Sequence, residues 1–133
     1  MAYSFSEAKD TMKIAEQEWG KGSEIKFTTF TSCIGVIAKR NDELYAVHLV
    51  MVGKEGPFNE AAAVDVVGLF PKLPDKVTIV GCIKDWENNV GPAYQKLIAS
   101  IKSLEKYETL GKNDGIYGAK IAGKKIAVTH TPL

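Results

Sequence analysis

Cys33 and His48 are the one pair of side chains in this sequence whose types and spacing suit covalent catalysis. An imidazole that takes a thiol's proton lowers the thiol pKa, so a nucleophilic thiolate exists at neutral pH. Both residues lie in the stretch 27–50, FTTFTSCIGVIAKRNDELYAVHLV, which reads as two strands around the polar turn Lys39-Arg40-Asn41-Asp42-Glu43. An even loop centred on Arg40-Asn41 sets Cys33 directly opposite His48. Centred on Asn41-Asp42, it sets His48 opposite Gly35 and diagonal to Cys33. In both registers the two side chains share a face, with Cβ atoms roughly 5–8 Å apart. An odd loop without a bulge puts them on opposite faces. The competing reading is a buried core pair, since free Cys is among the most buried residue types.

The neighbours suit a nucleophile. Gly35 leaves space on its face, and the small Thr31 and Ser32 let a substrate carbonyl approach the backbone N–H groups. Cys82 sits in the apolar run KVTIVGCI, where nothing ionisable in the local sequence would activate it, and reads as packing. Cys33 is therefore expected to be the more reactive thiol. Other chemistries lack their residues. There is no glycine-rich phosphate loop and no G-x-S-x-G elbow, and the position six residues after Cys33, where a phosphatase needs Arg, is Lys39. Two widely spaced histidines do not make a metal site, so neither metal nor cofactor is expected.

The elements that position the pair come from a chain of 133 residues, read as one domain, 1–133, long enough to bury a core. A net charge of +1 without a basic stripe argues against nucleic acid as a partner. No apolar run reaches the roughly 18 residues of a membrane span, and MAYSFSEAKD is not a secretory leader. The expectation is a soluble protein, cytoplasmic or exported without a classical signal. Two cysteines are not a disulfide framework, and oligomeric state is not legible.

In order, the pattern predicts a helix over Ser6–Trp19 with Ala8, Met12, Ala15 and Trp19 on one apolar face and Gly20-Lys21-Gly22 as its stop. Strands follow over 24–31 and 34–38, kinked at Thr31-Ser32-Cys33, then the His48 strand. A helix over 58–70, a buried strand over 76–83 and a helix over 93–108 with Leu104 on its apolar face come next. A hairpin around Ala122-Gly123 ends the chain, with His130 at a frayed edge. Lys54–Asn59 and Asp85–Gly91 read as polar loops that could choose a target; Trp86 could anchor a partner there, but a lone loop Trp more often packs onto its own domain. Both faces of the His48 strand are apolar, so β-structure is covered on both sides in an α+β domain.

With those residues in view, the chain resembles the CheD/cytotoxic-necrotizing-factor superfamily of cysteine-dependent protein glutamine deamidases. That family places its nucleophile after small residues, in L-G-S-C or L-S-G-C, with a His on the next strand. Here the matching residues are Phe30-Thr31-Ser32-Cys33 and His48. Val80-Gly81-Cys82 stands where a G-G-A-like element follows, Val90-Gly91 where a helix opens, and Asp114-Gly115, Gly118 and Gly123 where a glycine-rich strand pair ends the chain. The chain departs at Phe30-Thr31, at Phe27 where the family often has an orienting Thr, and at Lys120 in place of Arg.

The resemblance implies two packed mixed sheets flanked by helices, a four-layer α/β/β/α arrangement. It implies Cys33 as nucleophile and His48 as base, with Thr28, Thr29, Thr31 and Ser32 as candidates to orient the imidazole or hold the oxyanion. The partner is a protein presenting an exposed glutamine, and the setting is a bacterial effector or toxin. The same pair would serve a transglutaminase if an amine replaced water. A non-catalytic α+β interaction module is the alternative of a different class.

Overall fold

The turn at Asn41-Asp42 sets the register on which the main sheet is built. In the computed structural model, which describes residues 3–102 and 107–133, Arg40 pairs with Glu43 and Gly35 with His48. Of the registers open to the sequence, this is the one with Cys33 diagonal to His48. Asn41 takes the positive φ of 53° that the two-residue turn needs.

The elements run β1 (Ser6–Glu7), β2 (Glu18–Gly22), β3 (Glu24–Lys26), β4 (Ile34–Arg40), β5 (Glu43–Leu49), β6 (Val52–Gly53) and β7 (Gly56–Pro57). Then come α1 (Glu60–Gly68), β8 (Lys76–Gly81), α2 (Ile83–Asn89), α3 (Gly91–Lys102), β9 (Tyr107–Gly111), β10 (Gly115–Ala122) and β11 (Lys125–Pro132). They make a mixed α+β fold with a six-stranded sheet, β1-β2-β5-β4-β8-β9, a three-stranded sheet, β11-β10-β3, and the small β6-β7 ribbon. β5 and β4 are the central pair, and β4, buried up to Lys39, has the almost wholly buried β8 on its other side. α1 opens where Asn59 Oδ1 accepts the N–H of Ala62 at 2.8 Å, and it packs against α3.

The kink expected at Thr31-Ser32-Cys33 is a passage between sheets. β3 pairs with β10, whereas β4 lies between β5 and β8. Phe30 bridges to Gly115 through two main-chain bonds before the chain crosses over.

Several expectations are corrected. The segment predicted as a helix over Ser6–Trp19 forms β1, an irregular stretch and the start of β2. Ile14, off the expected apolar face, is fully buried and bonds its N–H to Lys26 O, while Met12 on that face is exposed. Sheet pairing outweighs a local helical pattern, and Gly20-Lys21-Gly22 pairs with β5 instead of capping a helix. Asp85–Gly91 is no loop: α2 occupies most of it and buries Trp86 completely. The last helix ends within the described residues at Lys102, and Tyr107 and Glu108 belong to β9. Residues 103–106, with Leu104, lie outside the described residues. The final hairpin turns at Gly123-Lys124, and His130 is not frayed. Its ring stacks on Tyr117 with centroids 4.3 Å apart.

Candidate functional site

Cys33 sits at the first residue after the sheet-to-sheet crossing, one position before β4. The turn that delivers it is held at three points. Ser32 adopts φ 57°, its N–H donates to Asp114 Oδ1 at 2.7 Å, and its carbonyl accepts the Trp86 indole N–H at 3.0 Å. Cys33's own carbonyl accepts the N–H of Cys82 at 3.0 Å, extending the β4–β8 pairing by one residue. Asp114 can reach Ser32 because the Phe30–Gly115 bridge brings the start of β10 alongside the crossing.

The thiol is closed in. Cys33 is 1% exposed, and its Sγ donates to Thr31 O at 3.4 Å. Burial pushes the thiol up to about 11, against a smaller lowering by the Thr31 carbonyl contact.

His48 is fully buried on β5. Its Nδ1 lies 2.9 Å from Ile14 O and 3.5 Å from Thr28 Oγ1. A carbonyl oxygen only accepts, so Nδ1 carries the proton and Nε2 presents a lone pair. Nε2 is buried and has no hydrogen-bond partner. Aromatic rings enclose the imidazole, Phe30 with centroids at 4.7 Å and Phe27 edge-on at 5.7 Å. Burial lowers the His48 pKa below its usual value, more than the Ile14 contact raises it.

The structure thus places the expected pair on neighbouring positions of adjacent strands without a hydrogen bond between them. The space over Gly35, read from the sequence as room for a substrate, is filled by the Phe27 and Phe30 rings. Of the other candidates, Thr28 reaches the imidazole, Thr31 contributes its carbonyl to the thiol, and Ser32 is the anchored turn residue. Thr29 is exposed.

Four contributors escaped the sequence. Ile14 lay inside an expected helix, so its carbonyl had no assigned partner. Asp114 read as a turn residue, and Trp86, expected in a loop and packed onto its own domain, had no assigned tie to Ser32. Cys82, read as packing, donates its thiol to Asp114 Oδ1 at 2.9 Å and lines a cleft of about 690 Å³. Burial, then the Asp114 carboxylate, push the Cys82 thiol up to about 12. Asp114 is held below the usual carboxylate range by the Cys82 thiol and the Ser32 N–H. The Asp-Gly pair before β10 was the only local signal for this cluster.

Among the described residues no group of three or more His, Cys, Asp or Glu side chains could hold a metal ion, and no helix is long and apolar enough to cross a membrane. No protein-family model matches the chain, and no curated protein matches its sequence.

Proposed function

We propose that this protein is a cysteine-dependent hydrolase of a glutamine side-chain amide on a protein substrate, with Cys33 as nucleophile and His48 as base. The observation that carries the reading is the state of His48. Its Nδ1–H is tied to Ile14 O and its Nε2 lone pair is buried and unused, the tautomer a general base needs. The substrate class comes from the resemblance in Thr31-Ser32-Cys33 and His48. The same resemblance supplies the finer architecture, four layers with helices outside two packed sheets, and the setting of a bacterial effector or toxin.

The chemistry runs as follows. His48 Nε2 takes the thiol proton, and the Cys33 thiolate attacks the carboxamide carbon. Backbone N–H groups at the Ser32–Cys33 turn hold the oxyanion. Its collapse breaks the C–N bond, and the imidazolium gives its proton to the departing ammonia, leaving a thioester. His48 then deprotonates water, which attacks the thioester and releases glutamate and the thiol.

Free Cys33 is closed off, so substrate binding must move the Thr31-Ser32 turn, whose outer residue Thr31 is exposed. The closure adds specificity, because only a ligand that displaces the turn meets a reactive thiol. The test is intact-mass measurement of candidate proteins after incubation, with ammonia assayed in parallel. The mass gain of amide-to-acid conversion should appear with the wild type and not with Cys33→Ser or His48→Ala. A gain of the amine's mass instead, when a primary amine is added, would make the enzyme a transglutaminase.

A second reading rests on its own observation, the 1% exposure of Cys33 with its thiol bonded to Thr31. On that reading both residues are core, and the chain is a non-catalytic interaction module. Wild-type protein without turnover on any candidate, and with Cys33 inert throughout, would favour it.

A further inference from the structure

The β4–β8 pairing sets the two cysteines of this chain opposite one another. Its register pairs Gly35 with Val80 and Ile34 with Gly81, so the next pair outward is Cys33 and Cys82. The Cys82 N–H donates to Cys33 O at 3.0 Å, and the ladder therefore reaches that far. Directly opposite residues of an antiparallel pair send their side chains to the same face. Where main-chain hydrogen bonds join them, their Cα atoms stand about 5.5 Å apart, inside the span that a disulfide bridges. Both thiols are free.

Each thiol is held by one acceptor of its own. Cys33 Sγ donates to Thr31 O at 3.4 Å, and Cys82 Sγ donates to Asp114 Oδ1 at 2.9 Å. A thiol is a weak donor, so turning each side chain toward the facing strand gives up less than an N–H or O–H bond would. Asp114 Oδ1 keeps the Ser32 N–H when the Cys82 thiol leaves it. Cys82 also lines the cleft of about 690 Å³ at the ends of β8 and β9, which gives a small oxidant its approach to the pair.

We propose that Cys33 and Cys82 form an oxidation site, joined as a disulfide when a peroxide is the oxidant. One sulfur, as thiolate, attacks a peroxide oxygen; the O–O bond breaks and leaves a sulfenic acid and water. The other sulfur attacks the sulfenic sulfur, the S–O bond breaks, and the second thiol's proton leaves with the hydroxide as water. In sum the two thiols lose two electrons and two protons, and hydrogen peroxide becomes two waters. The sum is the same whichever sulfur is oxidised first. Burial keeps both thiols protonated at neutral pH, so the bridge answers sustained oxidant and not a brief pulse.

For the hydrolase the bridge is a reversible off state, and that consequence rests on the reading of Cys33 as nucleophile. A bridged Cys33 has no thiol for His48 to deprotonate, and a thiol reductant restores it. The bridge itself does not rest on that reading, because the strand register brings the cysteines together.

The test uses the whole reduced chain at neutral pH, incubated with hydrogen peroxide, then unfolded, alkylated and mapped without reductant. The expected product is a monomer lighter by two hydrogens, with a cross-linked peptide pair carrying Cys33 and Cys82. Dithiothreitol should return it to the starting mass. Ammonia release from glutamine-bearing proteins, followed in the same samples, should fall in proportion to the bridged fraction. Sulfinic or sulfonic acid without the cross-link would overturn the site, as would two unmodified thiols, a bridge between copies, or a bridge that forms only in urea. A bridge in a protein that releases no ammonia even when reduced keeps the oxidation site and removes the hydrolase reading. Release that survives complete bridging keeps the site and removes Cys33 as the nucleophile. Cys33-dependent release with no bridge keeps the hydrolase and removes the oxidation site.

Discussion

His48 Nδ1 is bonded to the main-chain oxygen of Ile14, 34 residues earlier in the chain, and that contact decides which ring nitrogen carries the proton. A ¹⁵N-edited spectrum at pH 7 should show the Nδ1–H tautomer, with Nε2 bare. Observation of the Nε2–H form would undo the base assignment.

The same residue sets a pH dependence. His48 is kept neutral by burial, so its folded pKa lies below the ordinary 6.5. A histidine with a lowered folded pKa stabilises the fold above its unfolded value, and that contribution is lost as pH falls from about 6.5 through the folded pKa. Urea midpoints should therefore drop below about pH 6.5, and His48→Gln should flatten that part of the curve. An unchanged slope in the variant would show that His48 titrates as it does in the unfolded chain.

Both thiols should be slow to alkylate at pH 7, since burial raises each above its ordinary value, and Cys82 labelled before Cys33 would count against Cys33 as the nucleophile. Peptide mapping after limited iodoacetamide checks it. Because the Cys33 pKa is raised from 9.0 to about 11, its contribution is fully present below about pH 9 and is lost as pH rises through 11. Cys33→Ala should lack that alkaline loss.

Two glycines are close-packed against this turn. A Cβ at Gly35 would stand 2.7 Å from Phe27 Cζ and 3.1 Å from Phe30 Cζ, so Gly35→Ala should cost about 1–3 kcal/mol through overpacking. Gly81 adds a φ of +111° and a contact of 2.5 Å to the Cys33 carbonyl, so Gly81→Ala should cost about 3 kcal/mol or more. Chemical denaturation ranks them, and a neutral Gly81→Ala would contradict the packing described.

Trp86→Phe keeps most of the buried ring and removes the indole N–H from Ser32 O. The expected loss is about 1–3 kcal/mol, for a buried carbonyl left without its donor. Faster alkylation of Cys33 in this variant would show that the indole helps hold the turn shut; an unchanged rate would show that it does not.

By itself the sequence determined the strands whose pairing is local. The turn-rich 39–43 stretch between two apolar segments specifies a hairpin, and an even loop puts Cys33 and His48 on one face. Which of the two even registers forms, with Gly35 opposite His48, is read only from the structure. The helix over Glu60–Gly68, the strand over Lys76–Gly81 and the final hairpin were legible for the same reason, since turn residues and apolar period act within a few residues. Tertiary structure decided what depends on partners far along the chain. The stretch 6–19 has a helical apolar spacing, yet it gains more from pairing with β5 and with Lys26 and Phe27 than from local helix bonds. The imidazole's tautomer comes from Ile14, the Cys33 turn from Asp114 and Trp86, and the filled space over Gly35 from Phe27 and Phe30. None of these contacts has a sequence period, because each joins residues from different elements that only the folded chain brings together.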